Sequence, residues 1–117
     1  MKITDVRALT FSAPLPRLMG GSGRGGPLWR KQAFLVEVET EDGRIGLGEG
    51  LTLPAVCARM VSQVLKPLLL GQDSEAVETL WERMYFGVGY SGMRGLALEA
   101  ISAVDIALWD LRGQRTG

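Results

Sequence analysis

Histidine is absent from these 117 residues, and cysteine occurs once, as Cys57. A Ser-His-Asp arrangement is therefore excluded, and no intramolecular disulfide can form. A zinc site of the usual Cys/His kind lacks its ligands. Cys57, with no histidine to activate it, reads as a small buried hydrophobe. Net charge is also lacking: thirteen basic residues balance thirteen acidic ones. No cationic excess points to nucleic acid or to an anionic membrane surface. The greasiest run, Val64 to Leu70, is short and broken by Lys66 and Pro67, far below what spans a bilayer. Lys2 and Asp5 put charge where a secretion signal needs an apolar run, so a reducing cytoplasm is the expected compartment.

What is present suits one globular domain over residues 1–117. Hydrophobic residues make up 46% of the chain, enough for a core. Lys2 to Ser12 reads as a first strand, and Ala13 to Pro27, with three prolines and a glycine cluster, as a long loop. Gln32 to Glu39 reads as a second strand with Phe34, Val36 and Val38 on one face and Glu37 and Glu39 on the other. Glu41-Asp42-Gly43-Arg44 is a hairpin signal, and Ile45 to Glu49 pairs back as the third strand.

Three helices should follow. Thr52 is placed to cap the first, with Pro54 in its opening turn and Val56, Met60, Val64 and Leu65 along one side. Pro67 should end or kink it, and Gly71 closes the segment. Asp73 or Ser74 is the expected cap of the second, where Val77, Leu80, Trp81, Met84 and Tyr85 follow helical core spacing. Phe86 to Gly92 reads as a connection. The third, about Met93 to Arg112, is apolar nearly all round, which hints at a further partner surface. The fold class is α+β, a three-stranded antiparallel meander and then three helices.

Gly21, Gly23 and Gly26 fit G-x-G-x-x-G, but a strand rather than a helix follows them. The helix N-terminus that would hold a pyrophosphate is missing, so a specificity loop is the better reading. Asp105 and Asp110 stand about 140° apart around a helix, because each residue turns it by roughly 100°. They cannot share one metal, and structural roles are expected of both. Glu49, at the end of the third strand, is placed for a site, with a solvated or salt-bridged role as the default. Trp81 and Trp109 are assigned to the core.

The run Ala100-Ile101-Ser102-Ala103-Val104-Asp105-Ile106-Ala107-Leu108-Trp109-Asp110-Leu111-Arg112-Gly113-Gln114 resembles the helix signature of the mandelate racemase and muconate lactonizing enzymes of the enolase superfamily. Ala100, Ser102, Asp105, Ala107, Asp110 and Gly113 carry that pattern. Val36 to Thr40, Gly46-Leu47-Gly48-Glu49, Leu69 to Asp73 and Leu80 to Tyr85 resemble the same family in order.

The resemblance implies a capping domain whose catalytic (β/α) barrel, roughly 250 residues in size, lies outside these 117 residues. It implies an isomerase or lyase: a racemase, acid-sugar dehydratase or cycloisomerase. Such an enzyme abstracts the proton α to a carboxylate with Mg²⁺ held by the barrel. No catalytic residue and no metal ligand is then expected in this chain, which alone should be inactive. Two substrate-specificity loops are implied, around Leu18, Met19 and Arg24 and around Gly50, Leu51 and Thr52. Arg24 is the proposed substrate-facing cation. The expected partners are a small carboxylate or acid-sugar substrate, the barrel, and further copies in a homo-oligomer. A stand-alone binding module without catalysis is the alternative.

Overall fold

The computed structural model describes residues 1–19, 28–91 and 94–117. Three strands, β1 (Ile3–Met19), β2 (Leu28–Thr40) and β3 (Ile45–Gly50), form an antiparallel sheet in that order. Gly43, at φ 82°, and its N–H on the Thr40 carbonyl (2.8 Å) close the β2–β3 turn where the sequence places it. Phe34, Val36 and Val38 are fully buried, as the alternation requires. On the opposite face Arg7 donates to Glu37 (2.9 Å), Asp5 (2.9 Å) and Glu39 (2.7 Å), and Lys66 reaches Asp5 at 2.6 Å.

β1 is longer than the sequence reading allows. Ala13 and Pro14 pair with Lys31 and Arg30, and Met19 with Leu28, so the first half of the expected loop is strand. Pro14 and Pro16 are tolerated because β1 is an edge strand, where a missing N–H can fall on the open side. A register shift between Pro14 and Met19 absorbs the misfit.

The helical half begins with α1 (Pro54–Met60), continues through a π-helical turn (Val61–Leu65) and ends in α2 (Lys66–Leu69). Pro67 therefore neither ends nor sharply breaks this rod. It has no N–H to give the Gln63 carbonyl, and the wider turn just before it accommodates the loss, with Lys66 N–H bonding Val61 O instead. The same turn corrects the buried face. Cys57, Val61, Leu65 and Leu69 line the core, whereas Val56 and Val64 are exposed. A spacing of four drifts by about 40° per step on an ideal helix, and the π turn takes up that drift.

Thr52 does not cap α1: the N-cap is Leu53, in the left-handed region at φ 40°, and no side chain supplies the bond. Nor do Asp73 and Ser74 cap α3 (Val77–Gly87), whose N-cap is Ala76. Asp73 instead takes the terminal amine of Met1 (2.9 Å), and buried Ser74 donates to the Met1 carbonyl (3.0 Å). Gly71, at φ 78°, closes the preceding segment as expected.

α3 runs into the expected connection, which is left with a single 3₁₀ turn over Gly89–Ser91. α4 (Leu96–Thr116) buries Ala97, Ala100, Ile101, Ala103, Val104, Ala107, Leu108 and Leu111. Trp109 is a correction: it is 49% exposed and stacks under the Arg112 guanidinium, 5.2 Å away. Trp81 packs against the core edge and stacks on Tyr85.

Candidate functional site

α4 lies antiparallel along β3, and nearly every contact between them follows one register. At one end Gln114 Nε2 donates to Ile45 O (2.8 Å), and Leu47 N–H donates to Asp110 (2.8 Å). In the middle a Cβ on Gly46 would lie 2.1 Å from Ala107 O, and one on Gly48 1.8 Å from Ala103 O. At the far end Glu99 accepts from Leu51 N–H (3.2 Å) and Thr52 N–H (2.7 Å). The lengths agree: six strand steps at about 3.3 Å and fifteen helical steps at about 1.5 Å both span roughly 20 Å. Residues 99, 103, 107, 110 and 114 share one helix face, so Asp110 and Gln114 bond the open edge of β3 and Glu99 the loop just past it, while the alanines let the backbones touch. Of the family-signature positions, Asp110 accepts from Leu47 N–H and from Gln114 Nε2. Ala100 and Ala107 are buried, and Ser102 and Gly113 are exposed.

The far end is the candidate site. Gly50 faces the Phe34 ring so closely that a Cβ would lie 2.3 Å from it. Leu51 and Leu53 project outward, 49% and 57% exposed. Beneath them the backbone is tied down by Glu99, and the Cys57 thiol donates to the Thr52 carbonyl (3.1 Å). Burial pushes the Glu99 carboxyl up, but hydrogen bonds from Thr52 and from the Leu51 N–H outweigh it and hold the group below its ordinary range. Burial, and then the Glu99 charge, push the Cys57 thiol up, so it is no ready nucleophile. Leu53 is the one non-glycine at positive φ among the described residues, a cost of about 1–2 kcal/mol that the surrounding bonds must hold in place.

Of the two loops singled out in the sequence, the described residues Leu18 and Met19 and Gly50 to Thr52 lie toward the same end of the sheet. β3 stops opposite Phe34, and from there β1 and β2 continue as a two-stranded arm to the Met19–Leu28 pair. Six residues of β2 make that arm about 20 Å long. Leu18 and Met19 end it, and Arg24 lies outside the described residues. A cleft of about 220 Å³, lined by Thr10, Phe11, Ser12, Gln32, Pro54 and Ala55, separates the arm's base from the start of α1. Glu49 is solvent-exposed on the sheet's outer face, opposite Leu35, as its default reading holds. Among the described residues no three acidic or cysteine side chains come together as a metal site would require.

The match to the mandelate racemase / muconate lactonizing enzyme N-terminal domain covers residues 27–117. The chain belongs to that family. It is 40% identical over 116 residues to the 3,6-anhydro-alpha-L-galactonate cycloisomerase of Streptomyces coelicolor, covering 97% of this chain and 32% of that protein. It is 46% identical over 81 residues to the arabinonate dehydratase of Saccharolobus solfataricus, covering 68% of this chain and 22% of that one. In three dimensions it resembles a Streptomyces coelicolor racemase solved with bound magnesium, with a TM-score of 0.90 at 39% identity, over 97% of this chain and 32% of the other. The chain thus spans about a third or less of these relatives. The enolase-type N-terminal architecture read from the sequence is the one observed.

Glu99 and Arg115 escaped the sequence reading, as did the bond from the buried Cys57 thiol to the Thr52 carbonyl. Arg115 donates to Ser74 Oγ (2.7 Å), Thr40 Oγ1 (3.3 Å) and Glu75, and so ties the β2–β3 turn to the approach to α3. The polar ends of the small-residue stripe, Glu99 and Gln114, were the signal available for the α4–β3 seam.

Proposed function

We propose that this chain is the capping and substrate-selecting part of a Mg²⁺-dependent enzyme that removes the proton α to a carboxylate, with an acid sugar as the favoured substrate. What supports this is the near-complete overlay on a magnesium-bound racemase of which the chain covers only 32%, together with relatives named as a cycloisomerase and a dehydratase of sugar acids. Magnesium and the catalytic base would be held by residues outside these 117, and no step is assigned to any side chain in this chain. Its own part is recognition. Gly50, Leu51 and Thr52, pinned by Glu99, form one wall of the substrate mouth. Leu18, Met19 and Arg24 supply the other, with Arg24 offering a guanidinium to the substrate carboxylate. Fixed walls of this kind orient a substrate and exclude water.

A chimera tests the reading. The first third of the Streptomyces coelicolor cycloisomerase is replaced by this chain, and kcat/KM is measured over a panel of sugar acids and their anhydro forms. The order of preference should change, and Arg24→Ala in the chimera should lower kcat/KM at least tenfold, about 1.4 kcal/mol. A folded chimera with the parent's preferences unaltered would remove the selecting role from this domain.

A further inference from the structure

α4 carries apolar surface that the domain does not cover. Trp109 is 49% and Ile106 50% exposed, although Ala103, Val104, Ala107 and Leu108 on the same helix are fully buried. Beside Trp109 a groove of about 380 Å³ runs between α3 and α4, lined by Val77, Glu78, Trp81, Glu82, Asp105 and Trp109. Two indoles, a valine and three carboxylates line it, with no basic side chain in the lining. None of the three carboxylates enters an ion pair among the described residues. Arg112 lies over the Trp109 ring and lines the neighbouring cleft with Glu75 and Glu78. Asp105 is the deepest of the three, half-buried with its carboxyl pushed up by desolvation. A carboxylate in that position gains most from a cation brought in with the water displaced.

We infer that this groove is a docking site for a protein segment outside these 117 residues that inserts one arginine or lysine side chain, flanked by apolar neighbours, between Trp81 and Trp109 toward Asp105. Charge complementarity selects the cation, the indole faces suit its aliphatic stem and charged head, and exposed Ile106 extends the apolar contact. Relatives about three times as long as this chain have the length to supply such a segment. The inference takes only the source of the partner from the capping reading.

The test uses the ¹⁵N-labelled chain and a single-residue probe. Nα-acetyl-arginine amide is titrated against the three indole N–H resonances of Trp29, Trp81 and Trp109, with Nα-acetyl-leucine amide as the neutral control. The expected result is saturable movement of the Trp81 and Trp109 signals with a millimolar Kd, no movement of Trp29 on β2, and a response to the leucine amide at least threefold weaker. Asp105→Asn should weaken arginine-amide binding at least threefold. Glu82→Gln, at an exposed position, provides a second variant with a smaller loss in the same direction.

Equal responses to the two amides, or none that saturates, would overturn the inference. Concentration-dependent dimerisation that moves the same two indole signals and vanishes in Trp109→Ala would assign the groove to a second copy and overturn it as well. Arginine-amide binding beside an inactive chimera would count against the capping reading alone. An active chimera with no such binding would place the docking face elsewhere.

Discussion

Glu99 sits in the first turn of α4, yet its carboxylate serves a loop nearly fifty residues away in sequence, where it takes the backbone N–H groups of Leu51 and Thr52. Removing it leaves two donors to water and a left-handed Leu53 with less to hold it. Amide exchange measures this directly: in Glu99→Ala, residues 51 and 52 should exchange at least tenfold faster, about 1.4 kcal/mol of lost local protection. Protection unchanged at both positions would mean that the Cys57–Thr52 contact suffices. Arg115 is a comparable residue at the other end of the helix. Its Nε is buried with no partner among the described residues, while its terminal nitrogens serve Ser74, Glu75 and Thr40. Denaturant unfolding of Arg115→Ala should show a loss of about 2–3 kcal/mol. Arg115→Lys should recover less than half, because one ammonium cannot reproduce a planar fork. Neither residue announces itself locally, since each acts on partners at least forty positions away.

At the scale of elements, the seam between β3 and α4 is built from what its residues lack. Gly46 and Gly48 have no side chain, Ala103 and Ala107 have one methyl each, and the backbones meet where a Cβ on either glycine would overlap a helix carbonyl. Gly48→Ala must push the helix off the strand, straining the Asp110–Leu47 and Gln114–Ile45 bonds together. A cost of about 2–3 kcal/mol follows, or a Tm fall on the order of 10 °C for a domain of this size. Gly43→Ala makes a useful contrast. Its Cβ would meet nothing within 4 Å, so its penalty comes only from φ 82°, about 1–2 kcal/mol. A Gly48→Ala variant no less stable than Gly43→Ala would disprove the close-packed seam.

Across the whole molecule, charge is balanced in number but not in environment. Asp5 is held below the ordinary carboxylate range by Lys66, Asp42 by the Thr40 hydroxyl, Asp73 by the terminal amine, and Glu99 by the 51–52 backbone. Each binds fewer protons folded than unfolded near its titration, so it contributes stability above an ordinary pKa of about 4 that is lost as pH falls through its lower folded value. Asp105 has the opposite sign. Its folded pKa is raised by burial, so the folded state holds that proton longer, and stability declines as pH rises from about 4 through the raised value. Asp105→Asn should therefore match the wild type in Tm at pH 3 and exceed it by a few degrees at pH 7. A variant less stable at pH 7 would show that the charged form of Asp105 is satisfied in the isolated chain.

Local chemistry and periodicity were enough for the sheet. Asp42-Gly43 fixes the tight turn because glycine accepts positive φ, and the alternation of Phe34, Val36 and Val38 fixes which face is buried. They were also enough for the order of three strands and three helices and, through the Ala100 to Gln114 pattern, for the family. Helix caps, the extent of β1, the buried side of α1 and the exposure of Trp109 were decided only by tertiary structure. A cap side chain is dispensable where the terminus is satisfied by packing and backbone, as at Leu53 and Ala76. A proline-bearing strand extends when a partner strand lies within reach, as Arg30 and Lys31 do for Pro14 and Ala13. Which side of an apolar helix stays open depends on what stands beside it. Helical spacing gives α4 hydrophobic residues all round, but β3, α1 and α3 cover only part of that surface, and Ile106 and Trp109 are left about half exposed.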